Sequence, residues 1–70
     1  MRLMNLTESE IQARVRRIVE MAIDRGVDVS LPENQAKLIQ EISKVLAREV
    51  IKEMLAEVLP EHREQILGLR

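Results

Sequence analysis

The chain contains no cysteine, phenylalanine, tyrosine or tryptophan, and only one histidine, two glycines and two prolines. Lack of cysteine excludes disulfides and thiolate chemistry. Lack of aromatics removes the large side chains that often anchor small cores, and with them any ring that could stack on a base. His62 stands alone in "PEHREQ", with no second histidine or cysteine to complete a metal site, so neither a metal nor a cofactor is expected. No apolar run approaches the ~20 residues of a membrane-spanning helix. The opening "MRLMNLTESE" lacks the apolar core of a signal peptide, and a cytoplasmic location is expected. Neither sign of charge dominates. There are 11 Lys and Arg against 12 Asp and Glu, a net charge of -1, which gives no long-range attraction for nucleic acid or an anionic membrane.

What is present is a globular balance: 46% apolar and 33% charged residues over 70 positions. Residues 1–70 are expected to form a single helical domain. A domain this small buries only about 60% of its unfolded surface. Small chains usually add a disulfide, a metal or a partner chain, and with the first two excluded, association is the reinforcement left.

Three helices are predicted. In "LTESEI", Thr7 and Glu10 have the spacing of a capping box, and Leu6 and Ile11 that of a hydrophobic staple. Ile11, Val15, Ile18, Val19, Ala22 and Ile23 then share one helical face, and Gly26 is a suitable left-handed terminator. Helix 1 is placed at about residues 7–25. Ser30 and Glu33 repeat the S-x-x-E pattern, and Pro32 suits a first helical turn. No glycine or proline follows until Pro60, so helix 2 is placed at about 32–59, roughly 40 Å long. "PEHREQIL" reads as a short helix 3 at about 61–67, with Gly68 as its terminator. Between the first two helices, "GVDVSL" alternates apolar and polar residues. It is either a plain connection or a short extended segment, and in both cases Val27, Val29 and Leu31 are expected to be buried.

The apolar pattern of residues 32–59 is the most informative. Leu38, Ile39, Val45 and Leu46 lie within about 60° of Ile42 on a helical projection. Ala47, Ile51 and Leu55 centre about 180° away. The apolar surface thus rotates by half a turn between the two ends. On one unbroken helix such a surface suits steep crossing against a partner, with rows running in steps of four. The expected fold is therefore all-α, three helices in an intertwined or crossed-helix homodimer. Val50, Ile51, Met54, Leu55 and Val58 are its expected interface.

Candidate chemistry is sparse. Ser9 and Ser30 are explained as helix-start residues, and no histidine is placed to activate Ser43. Glu49 and Glu53 are a turn apart but lack the Glu-x-x-His pattern of helical metal bundles. They read as an exposed strip pairing with Lys52, Arg48 or a partner's arginines. No phosphate loop or dinucleotide fingerprint occurs. "ARVRR" supplies a basic cluster. Arg14 and Arg17 lie on one flank of the apolar stripe and Arg16 on the other, as a solvated surface or as phosphate contacts.

The layout of helix, short connection, long helix and short helix resembles the histone fold. "RIVEMAIDRGVDVS" and "REVIKEML" are similar to stretches of archaeal histones, over about residues 17–55. That resemblance implies a crossed-helix dimer. It implies DNA binding less well, since the second loop is reduced to "LP" and the charge balance is acidic. The expected function is a small non-catalytic homodimeric protein–protein interaction module, an adaptor or regulator. The alternative is a histone-like or architectural DNA-binding protein contacting phosphates through Arg14, Arg16 and Arg17.

Overall fold

The computed structural model describes residues 7–44 and 46–70. Among them the chain forms four α-helices and no strand: α1 (Glu8–Asp24), α2 (Pro32–Ile42), α3 (Arg48–Val58) and α4 (Arg63–Leu67). A 3₁₀ turn, Pro60–His62, leads into α4.

The start of α1 follows its local signals. The Glu10 amide donates to Thr7 Oγ1 at 3.2 Å, and the Thr7 amide donates to Glu10 Oε1 at 2.8 Å. This reciprocal box satisfies two donors that a helix start leaves free. Leu6 of the expected staple lies outside the described residues. At the other end Gly26 has φ +88°, the left-handed conformation that a side chain resists. The Val27 amide reaches back to the Ala22 carbonyl and the Gly26 amide to Ile23, a Schellman closure.

The connection to α2 departs from expectation at Ser30. Asp28 Oδ1 accepts the Ser30 amide at 3.0 Å and its hydroxyl as well, so Ser30 closes a turn around Asp28. The N-cap is Leu31, extended at φ -86° and ψ 130°, with Pro32 opening the helix. Residues 27–31 are a plain connection. Of their apolar side chains only Val29 packs on the core, while Val27 is 37% and Leu31 40% exposed.

The largest correction concerns helix 2. α2 ends at Ile42 and α3 begins at Arg48, so the expected helix of about 28 residues is divided in two. The Ser43 hydroxyl donates to the Gln40 carbonyl at 2.9 Å, and Ala47 is an extended N-cap whose carbonyl accepts the Ile51 amide. The half-turn rotation of the apolar surface is the cause. On a straight helix the faces of Ile42 and Ile51 point apart, and one chain cannot cover both. The break forgoes a few backbone hydrogen bonds, about 1 kcal/mol net each, whose groups water can take up. It brings Ile51, Met54 and Leu55 into the core, about 1.5–3 kcal/mol each. Burial wins. The unbroken central helix on which the histone resemblance rested is therefore not formed. Val45 lies outside the described residues.

One core joins the helices: Val15 and Val19 of α1, Leu38, Ile39 and Ile42 of α2, Ile51, Met54, Leu55 and Ala56 of α3, then Leu59 and Ile66. Two polar side chains are buried with it. Gln35 Nε2 donates to the Val29 carbonyl at 2.9 Å, whereas its Oε1 has no partner among the described residues. Lys52 is 6% exposed, and its Nζ donates to the Leu69 carbonyl at 2.7 Å. Arg48 donates to the Arg70 carbonyl, so two cations of α3 bind the backbone of residues 69 and 70. Gly68 does cap α4, but at φ -85°, a right-handed conformation open to any residue.

Candidate docking groove between α1 and α2

The C-terminal half of α1 and the length of α2 leave an open groove of about 400 Å³. Ile18, Ala22 and Leu38 form its apolar floor, with Met21 and Val27 along its lip. Met21 is 45% exposed. Asn34, Lys37 and Glu41 line it from α2, and Arg25 lines it from just after α1.

Helical spacing explains how the sequence builds this wall. Ile18, Met21 and Arg25 are separated by three and four residues, which places them in one row along α1, and Arg14 continues that row beyond the groove lining. Arg17 stands one turn before Met21 on the same flank. Asn34, Leu38 and Glu41 make the matching row on α2, with Lys37 beside it. The core uses the neighbouring stripe, Val15 and Val19, so the groove is the edge of the apolar surface that the core does not cover.

The polar groups are arranged around this floor rather than within it. Asn34 Nδ2 is committed to the Asp28 carbonyl at 2.9 Å. Glu41 is the one carboxylate lining the groove, which Arg25 and Lys37 also line. Among the described residues the only ion pair is Lys52 with Glu49, at 3.7 Å. Arg14, Arg17, Arg25 and Lys37 thus form no close ion pair there, although Arg14 lies near enough to Glu10 to help lower its pKa, and all four are exposed.

The residues singled out from the sequence fall elsewhere. Ile51 and Leu55 are fully buried and Met54 is 5% exposed, all within the core of the single chain. Val58 is half-buried, and Val50, at 41%, is the one member of the expected interface set left exposed. Arg14, Arg16 and Arg17 are all exposed, but Arg16 projects about 100° or more from the other two around α1. Glu49 and Glu53 are both exposed, as expected of the strip, and Glu49 pairs with Lys52, which is itself buried. His62 is half-buried in the 3₁₀ turn.

Two carboxyls carry a clear electrostatic signature. The Thr7 amide and hydroxyl hold Glu10 below its ordinary range, with help from Arg14. Ser30, through its hydroxyl and then its amide, does the same for Asp28, with a smaller contribution from His62. Both are explained by helix-start and turn hydrogen bonds. Comparison with protein families, curated proteins and solved structures returns no match for this chain.

Proposed function

We propose that this chain is a non-catalytic protein-interaction module that receives a helix of a partner protein in the α1–α2 groove. The observation that carries the reading is the open apolar floor of Ile18, Ala22 and Leu38 with Met21 exposed on its lip. Small-molecule sites fix their ligands with a few converging polar groups inside the pocket. Here the charged groups stand at the rim, which suits a partner that buries apolar side chains and keeps its polar flanks wet. From Ile18 to Arg25 the wall runs two helical turns, about 10 Å. That is the distance between the i and i+7 anchors of a docked amphipathic helix. The crossed-helix pairing expected from the sequence depended on one unbroken helix. Within the single chain, Ile51, Met54 and Leu55 of α3 lie in the core.

The reading is tested with a designed amphipathic helical peptide of about 14 residues, leucines at i, i+3, i+4 and i+7 and glutamines on its flanks. Titration is followed by NMR through the methyl groups of Ile18, Ala22, Val27 and Leu38. Saturable shifts confined to that set support the reading. Met21→Gln, a change at an exposed lip residue, is expected to weaken binding about fivefold by removing apolar contact. Shifts spread over the whole surface, or none at millimolar peptide, would overturn it.

A further inference from the structure

We infer that the helix received at this face is α2 of a second copy of the same chain, docked antiparallel across a two-fold axis. The inference rests on the docking reading above and names its occupant. Net charge does not choose a partner here. Arg14, Arg17, Arg25 and Lys37 along the two helix flanks are matched by Glu10, Asp24, Glu33 and Glu41. The order of the charges along α2 does choose. Glu33, Lys37 and Glu41 follow one another in steps of four on one flank of the helix. Lys44 continues the row three residues on, just past the helix end at Ile42. All four are exposed, and Lys37 and Glu41 line the groove. None of them is in an ion pair among the described residues. The row alternates in sign, so turned end for end it is its own complement.

A two-fold axis level with residue 39 sets Lys37 against the second copy's Glu41, and Glu41 against its Lys37. Glu33 and the second copy's Lys44 share that midpoint to within about half a residue, so the outer pairs form in the same register. Parallel docking about a two-fold axis would instead set Glu33 on Glu33, Lys37 on Lys37 and Glu41 on Glu41. Like charges across an interface select against that arrangement. Antiparallel helices also bring opposite ends of their dipoles together. Because the contact is isologous, each chain presents the same patch and both groove mouths are closed at once. Met21 and Val27, which the single chain leaves 45% and 37% exposed, lie at those mouths and are covered. The chain has reason to associate, since it has neither a disulfide nor an aromatic residue to reinforce a small core. This contact is not the crossed-helix interface expected from the sequence, because Ile51, Met54 and Leu55 of α3 are enclosed within the single chain. Nucleic acid or an anionic membrane would meet carboxylates interleaved with the cations of this face.

The test is sedimentation equilibrium of the full chain at about 50 mM salt, where surface charges are little screened. Contact along one short helix is small, so a weak dimer is expected, half-associated at on the order of 100 µM. Lys37→Glu and Glu41→Lys are each expected to weaken association about tenfold, since each turns two attractions of the dimer into repulsions. An equimolar mixture of the two variants is expected to regain wild-type association, because the changed side chains then face opposite charges across the axis. A pairing within one chain cannot be restored by mixing. Both positions are exposed, and an unchanged circular dichroism spectrum and melting temperature in dilute solution certify the fold. With one variant isotope-labelled, adding the other should shift the methyl groups of Ile18, Val27 and Leu38 and leave those of Ile51 and Leu55 in place. A wild type that stays monomeric at about 1 mM would overturn the second copy as occupant, about ten times above the expected midpoint. So would a dimer that neither variant weakens, or one that mixing does not restore. If the glutamine-flanked peptide still shifts the groove methyl groups, the docking reading stands and a different protein is the occupant. Absence of groove shifts both with the peptide and on self-association would overturn both. Saturable binding of duplex DNA or phosphatidylserine vesicles by a monomeric wild type would replace the inferred occupant.

Discussion

Thr7 shows how much a single side chain decides. Its hydroxyl accepts the Glu10 amide while its own amide is taken by the Glu10 carboxylate. Removing the hydroxyl in Thr7→Ala frees a helix-start donor, and a cost of about 1 kcal/mol is expected. In a chain of this size that lowers the melting temperature by several degrees in a reversible scan. The box also makes stability depend on pH. Glu10 and Asp28 are both held below the ordinary carboxylate range by hydrogen bonds to their charged forms. A group depressed in the folded state contributes its stability above its unfolded pKa and loses it as pH falls through the folded value. Stability is therefore expected to drop on acidification from just above the ordinary carboxylate range downward. Glu10→Gln should flatten part of that slope, measured as melting temperature against pH. An unaltered slope would show that the box does not titrate with folding.

At the scale of elements, the division of residues 32–59 into α2 and α3 is the central event. Ala47 is the exposed, extended N-cap of α3 and makes no side-chain cap. Ala47→Asp supplies the missing acceptor next to the positive end of the helix dipole. It should stabilise the protein by about 1 kcal/mol. In the middle of an unbroken helix the same change would be destabilising, since aspartate is a poor interior residue and alanine the best one. Thermal or denaturant unfolding of this one variant thus distinguishes a broken from a continuous helix by sign. No residue between Ser43 and Ala47 is a glycine or proline, so local propensity does not announce the break. The half-turn rotation of the apolar surface does announce a conflict. It is consistent both with a second chain and with a break, and sequence periodicity cannot choose between them.

For the whole molecule the same choice is made by burial. Ile51, fully enclosed, touches the core shared by all the helices. Ile51→Glu places a carboxylate there without a partner, at a cost of several kcal/mol. That is comparable to the entire stability of a small domain. Loss of the helical circular dichroism signal and of cooperative unfolding is expected at every protein concentration. A variant that keeps its helices and its cooperative transition, and differs from the wild type only in sedimentation, would instead place Ile51 between chains.

The features legible in the sequence are those settled within a few residues of chain. The Thr7–Glu10 box, the left-handed Gly26, Pro32 at a helix start and the terminal short helix all rest on backbone hydrogen bonds between near neighbours, and residue type specifies them directly. Of the α1 side of the groove, the sequence places Ile18 and Ala22 on the apolar face of the helix, whereas Met21 and Arg25 fall outside it. Ser30 does not cap α2 because Asp28, two residues earlier, takes both its amide and its hydroxyl. What the tertiary structure decided are the questions of which surface covers which. The break between α2 and α3, the burial of Gln35 and Lys52, the exposure of Val27 and Leu31, and the pairing of Ile18 with Leu38 across the groove all depend on residues far apart in the chain. Local bonding energies are nearly equal in the competing arrangements. The apolar area that the folded chain as a whole removes from water breaks the tie, and it is known only once every helix has found its neighbours.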